Sequence, residues 1–150
     1  VPVQRCLVHI QRMCKIWLSA YPKSEAGFEL HEIVCKLHFI DNEVKKQYWI
    51  KEFLDWFEKY KDFLNEKSYS LETGRYWYTH KMVRRCFSVI RKALPNMFTF
   101  LQNHKIPKTT NGIESFFGHL KGNLNIHRGL TKSRRKKFIQ WYLFYKNIKS

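Results

Sequence analysis

The sequence predicts a mainly α-helical chain, and three observations carry that prediction. Apolar residues recur at helical spacing along most of the length. The stretches between them are short and hold the Pro, Ser, Asn and Thr residues that cap or stop helices. Aromatic residues make up 17% of the chain, which supplies apolar surface for a core and excludes disorder over most of it.

Residues 1–5, with Pro2 near the start and Val3 facing away from Gln4, read as the end of a strand. Residues 7–20 read as a helix with Leu7, Ile10, Cys14, Trp17 and Leu18 on one face, stopped by Tyr21-Pro22. Ser24 is the N-cap expected for a second helix reaching about Phe39, striped by Leu30, Ile33, Val34 and Leu37. Asp41 or Asn42 caps a third, running to Leu64 through Tyr48, Trp49, Phe53, Trp56, Phe57, Tyr60 and Leu64, with a solvated charged face. Residues 68–78 show no helical period and contain Gly74, so a loop is expected there. Trp77, inside its aromatic cluster, is assigned to core packing over base stacking. Thr79 caps a fourth helix to Leu94 packed through Val83, Phe87 and Ile90. Residues 97–101 suit one helical turn or a short strand. A polar loop over 103–112 leads into a helix fraying past Gly122. His127-Arg128-Gly129 then turns the chain, and Thr131 or Ser133 caps a last helix through Lys146.

Charge divides the chain. Of 150 residues, the first 72 hold eleven Lys and Arg against eleven Asp and Glu; the remainder hold seventeen against one, giving the whole net charge of +16. Such an excess in one half implies an extended anionic partner, DNA or RNA. No apolar run approaches a membrane-spanning length, so a membrane partner is not expected. The four cysteines, at 6, 14, 35 and 86, show no CxxC spacing, and no signal peptide is evident. Reduced thiols in a cytosol are expected. The pairs Cys6/His9 and Cys35/His38 raise a zinc-stabilised interaction domain as a third reading; buried helical cysteines are the commoner explanation.

The single acid of the basic half is Glu114. On its helix Ile113, Phe116, Phe117, Leu120 and Leu124 fall on one expected core stripe. Glu114, Gly118, Lys121 and Asn125 share the adjoining flank, with Lys121 about 10 Å along the axis. A carboxylate with a cation two turns on suits divalent-metal chemistry on nucleic acid: the acid holds the ion and the lysine meets a phosphate. Lys121, His127, Arg128, Lys132, Arg134, Arg135, Lys136 and Lys137 are the candidate DNA-backbone residues.

Thr109-Thr110-Asn111-Gly112-Ile113-Glu114-Ser115, the spacing from Glu114 to Lys121, His127-Arg128-Gly129-Leu130 and the closing Trp141-Tyr142-Leu143 resemble the C-terminal part of Mutator-type DDE transposases of bacterial insertion sequences. The resemblance is strongest over residues 76–145. It implies a ribonuclease-H-like α/β catalytic core with an all-helical insertion between its last strand and the helix carrying the final catalytic Glu, placed at Glu114. The core end would be residues 1–23, the insertion 24–101, and the Glu helix with the basic helix 102–150. It implies Mg²⁺ or Mn²⁺ held by Glu114 and two aspartates. In that family the aspartates precede a Cys-x-x-His element, here Cys6 and His9 as a structural motif, so they would lie before Val1. A chain opening on Val1 reads as a fragment, inactive alone. The implied partners are transposon-end and target DNA and a second copy of the protein, in the bacterial cytosol. Ser115-Phe116-Phe117 departs from the small residues expected after the Glu. The alternative reading is a non-catalytic helical DNA-binding module, a degenerate or domesticated remnant.

Overall fold

A computed structural model describes residues 3–148 and is mainly helical, as the periodicity predicts. The chain divides into two compact units, Val1–Thr109 and Thr110–Ser150.

In the first unit, α1 (Leu7–Leu18) packs on α2 (Glu25–Lys36) and on α4 (Lys81–Ala93), while α2 also meets α3 (Glu43–Asn65). Helix α1 stops before Ala20 because Ser19 takes a left-handed φ of 63° just ahead of Pro22. The Ser24 hydroxyl accepts from Gly27 N–H at 3.1 Å and opens α2. Gly27 has a packing reason: a Cβ there would lie 3.0 Å from Ser24 Oγ and 3.2 Å from Pro22 Cβ. Asn42, the second of the two cap candidates, accepts from Lys45 N–H at 2.9 Å and starts α3. The last residues of the expected second helix tighten into a 3₁₀ turn, Leu37–Phe39.

The core of this unit is a run of rings. Phe53, 1% exposed, stacks between Trp49 at 5.5 Å and Trp56 at 6.3 Å, and Phe87 of α4 joins it at 5.6 Å. Both tryptophans keep their indole N–H satisfied inside the core, as burial demands. Trp49 donates to Ile33 O at 2.8 Å and Trp56 to Ala26 O at 3.0 Å, pinning α3 to α2. Leu30, Val34, Leu37, Cys14, Cys86, Ile90 and Met97 complete it.

Two expectations change in this unit. Residues 68–78 are not a plain loop: β1 (Lys67–Tyr69) and β2 (Tyr76–Tyr78) form an antiparallel hairpin with Ser68 opposite Trp77. Gly74, at φ +64°, lets the chain reverse there. The strands are too short for an alternating pattern to show. Trp77 is 51% exposed on this hairpin, not a core residue, because the core ends at α3 and α4. The fourth helix begins at Lys81, with His80 and not Thr79 at its N-cap position; the Thr79 hydroxyl is bonded to Ser68 at 2.8 Å instead.

Val1 and Pro2, two of the five residues of the expected strand end, lie outside the described residues. The residues after them are not a strand. Arg5 N–H donates to Asn96 O at 2.7 Å, Gln4 Nε2 to Met97 O at 2.7 Å, and Phe100 N–H to Gln4 Oε1 at 3.0 Å. These bonds tie the segment to the helical turn α5 (Thr99–Gln102), which settles the open choice at residues 97–101.

In the second unit, α6 (Asn111–Ile126) and α7 (Lys132–Ile148) form a helical pair. Phe116 meets Tyr142 edge-on at 5.5 Å, and His127 lies 5.7 Å from Phe138. Helix α6 does not fray at Gly122 but continues to Ile126. Leu120 and Leu124 are buried as expected, whereas Ile113 is 55% and Phe117 48% exposed. One partner helix covers only a narrow strip of another, so a five-residue stripe is wider than α7 can bury.

Candidate nucleic-acid interface

Glu114 stands in the first turn of α6, where a carboxylate is favoured by the helix dipole. Thr110, the preceding N-cap residue, does not cap the helix backbone through its side chain; its hydroxyl donates to Glu114 Oε1 at 2.6 Å. That bond holds the carboxylate in one orientation on the exposed side of the helix. Gly118, Lys121 and Asn125 are exposed on the same flank, as the wheel predicts.

The turn after α6 gathers the next group. Asn125, His127, Arg128 and Arg135 line a cavity of about 130 Å³, closed by Leu124 and Leu130. Thr131, the first of the two cap candidates, accepts from Arg134 N–H at 3.4 Å and begins α7. Lys132, Arg134, Arg135, Lys136 and Lys137 are all exposed on its first turns, with no acidic residue among them. A helix N-terminus already carries partial positive charge and disfavours cations. Five of them there cost the isolated helix stability and create a strong positive potential. The helix N-terminus and the cations point to the same complement, an anion. Of the sequence-derived set, the cavity unites His127, Arg128 and Arg135; Lys121, Lys132, Arg134, Lys136 and Lys137 stand outside it.

Cys6 is half-buried at the position before α1, and His9 is exposed in that helix's first turn. Cys35 lies 3.9 Å from His31 Nδ1. Cys86 sits beside Cys14, and that contact, followed by burial, pushes its thiol well above the ordinary range. Among the described residues no three His, Cys, Asp or Glu side chains gather closely enough to hold a metal ion. A carboxylate such as that of Glu114 is a hard oxygen donor of the kind divalent ions take. No helix among the described residues is long and apolar enough to cross a membrane.

Sequence reasoning placed α4 but not its basic face. Its Lys81, Arg84, Arg85, Arg91 and Lys92 recur at three-, four- and seven-residue spacings, a signal hidden because the densest basic run, at 132–137, drew the assignment.

Fold and charge together define a class: a mainly helical protein with cations collected on particular helix faces. Residues 1–116 match the family described as Transposase IS66 family, and the chain belongs to that family. The transposase class read from the Glu114 helix stands. The subtype does not: the matched family is IS66, which gives the Mutator type no support. Of the motifs that carry the Mutator-type resemblance, residues 109–115 lie within the matched stretch and residues 127–130 and 141–143 beyond it. The match runs through Glu114 and ends in the second turn of α6, short of α7. No curated protein and no solved structure matches the chain.

Proposed function

We propose that this chain is the C-terminal part of a DDE-type catalytic region that cleaves and joins DNA at transposon ends, with Glu114 as one carboxylate of the metal-binding set. The observation that carries it is the single acid of the basic half, bonded by the Thr110 hydroxyl and followed by an acid-free cationic helix, in a chain of a transposase family. On this reading residues 1–23 end a ribonuclease-H-like core, 24–101 are its helical insertion and 102–150 bring the Glu and the DNA-backbone helix.

Bound Mg²⁺ or Mn²⁺ supplies an activated water or hydroxyl and steadies the leaving oxygen. This chain's residues hold and position. Glu114 contributes one oxygen ligand, fixed by the Thr110 hydroxyl. Arg128, Arg135 and His127 receive one phosphate in their shared cavity, and Lys121, Lys132, Arg134, Lys136 and Lys137 follow the backbone to either side. Two aspartates outside residues 1–150 complete the carboxylate set, and a second copy of the protein takes the other transposon end.

The test has a binding arm and a catalytic arm. Six phosphate contacts give a slope of log K against log salt near about −5. Arg134→Ala with Arg135→Ala removes about two contacts, read by fluorescence anisotropy on two unrelated duplexes. Salt-independent binding overturns the DNA reading. In the catalytic arm, residues 1–150 nick no plasmid in Mg²⁺ or Mn²⁺, and Glu114→Gln abolishes strand cleavage by a polypeptide that carries the complete carboxylate set. Full activity of that variant removes Glu114 from the site and leaves the non-catalytic DNA-binding module.

A further inference from the structure

Helix α4 divides into two faces. Val83, Cys86, Phe87, Ile90 and Ala93 turn to the core, with Cys86 and Ile90 fully buried. Lys81, Arg84, Arg85, Arg91 and Lys92, with Ser88 at the centre, fall within about a third of the helix circumference at about 100° per residue. They span about 16 Å of axis. No Asp or Glu occurs anywhere between Glu72 and Glu114, and none of the ion pairs among the described residues reaches α4.

An ordinary solvated face does not account for this stripe. Cations at a helix C-terminus complement the dipole, which explains Arg91 and Lys92; Lys81 and Arg84 sit at the opposite end, where the dipole opposes them. Two of the arginines are also held in place. Arg84 Nη1 donates to Leu64 O at 3.0 Å and to Asn65 Oδ1 at 2.9 Å, with its guanidinium 3.6 Å from the Tyr78 ring centre. Arg85 lies 4.7 Å from the Trp17 ring centre. Only one nitrogen of Arg84 is used in these bonds, so its other donors remain for an anion. Beside it, Arg84, Ser88, Arg91 and Lys92 form one wall of a groove of about 520 Å³, with Phe57 and Asn65 opposite. Fixed guanidinium groups along a straight edge suit repeated phosphates better than a flexible acidic peptide, which would bring its own scattered geometry.

We infer that the outer face of α4 is a second DNA-binding surface, taking the backbone of a DNA duplex, with one phosphate seated between Arg84, Ser88, Arg91 and Lys92. The inference rests on the DNA-transacting reading above but concerns different residues, in a different compact unit from α7. Helices α4 and α7 belong to different compact units, and contributions of independent sites to log K add.

The test uses the whole chain and a salt series with a duplex. Arg91→Gln with Lys92→Gln lowers affinity and takes about two from the magnitude of the salt slope; Arg91→Lys with Lys92→Arg restores the slope. Lys59→Ala with Lys61→Ala, whose side chains are paired to Glu29 and Glu58, leaves it unchanged. Combining the α4 pair with Arg134→Ala and Arg135→Ala removes about four. If the α4 pair binds like the parent while the α7 pair weakens, the second surface is overturned and the proposed function stands. If the α4 pair weakens and the α7 pair does not, the second surface stands and the α7 assignment falls. A parent that fails to bind duplex overturns both. Displacement of duplex by poly-glutamate at equal charge concentration overturns the assignment to DNA.

Discussion

Helices α3 and α4 close over the same rings, Phe53 and Phe57 from one and Phe87 from the other. Their outer faces are built by opposite rules. Helix α3 carries five Lys against five Asp and Glu, and its lysines find acids: Lys46 bonds Glu43, Lys61 bonds Glu58, and Lys59 reaches Glu29 of α2. Across the same helix pair, Lys36 of α2 is bonded to Glu52. Helix α4 carries five cations and no acid. Equal charge density thus serves two ends. Four of the five α3 lysines have an acidic partner within the chain, whereas no ion pair among the described residues reaches α4. Ion pairs like those of α3 are worth little in water, so α3 owes its position to the rings beneath it.

The largest effect should come from breaking what the two helices share. Phe53→Ala opens a cavity between Trp49, Trp56 and Phe87 and should cost about 3–5 kcal/mol in urea unfolding. Trp141→Ala, a large ring left 57% exposed on α7, should cost less than about 1 kcal/mol in the same measurement. Equal losses would show that exposure does not separate the aromatic residues of the two units.

That contrast marks how far the sequence could be read. Periodicity placed the helices of the first unit to within a turn because most of each apolar face is buried and a buried face imposes the pattern; Tyr48, expected on the α3 stripe, is instead exposed at the helix's first turns. Ser24 and Asn42 were legible as caps because their side chains do bond the backbone. The same reading overreached on α6. Ile113 and Phe117 keep helical spacing yet stay exposed, since spacing gives direction and not what lies in that direction. The hairpin of Lys67–Tyr69 and Tyr76–Tyr78 was missed because three-residue strands hold barely one period. At the candidate site, charge isolation and the family resemblance single out Glu114 as a candidate, whereas its hydrogen bond from Thr110 is not legible: four residues apart, a Thr before a helix reads first as a backbone cap. The meeting of His127, Arg128 and Arg135 needed the turn between two helices.

The comparison sharpens at the helix starts. Asn42 gives α3 a side-chain cap, while His80 gives α4 none. Asn42→Ala should cost about 1 kcal/mol. Asn42→Asp should keep most of the cap, since the carboxylate can accept the same Lys45 N–H. A loss on Asn42→Asp as large as on Asn42→Ala would mean that the neighbouring Asp41, and not the missing acceptor, sets the effect.

The smallest effect is one of pH, and it separates the paired face from the unpaired one most directly. Glu29, Asp41 and Glu43 are each held below the ordinary carboxylate range, first by a hydrogen bond from Lys59, Lys45 and Lys46 respectively. A depressed folded value means that the unfolded chain takes up protons first. The stability these groups contribute is fully present above the unfolded carboxylate range and is lost as pH falls through the lowered folded values. Lys59→Met removes the main cause of the Glu29 shift, so its stability deficit should shrink as pH is lowered through the carboxylate range and vanish once Glu29 is protonated in both proteins. Arg91→Met, on a helix with no carboxylate partner, should show an offset that does not change over the same window. Urea midpoints measured from neutral pH to below the carboxylate range read both. A pH-independent deficit for Lys59→Met would mean that the contact of the Lys59 ammonium with the Tyr60 ring, 4.8 Å from its centre, matters more than its pairing with Glu29. A pH-dependent deficit for Arg91→Met would mean that α4 has an acidic partner within the chain and that its outer face is not open to DNA.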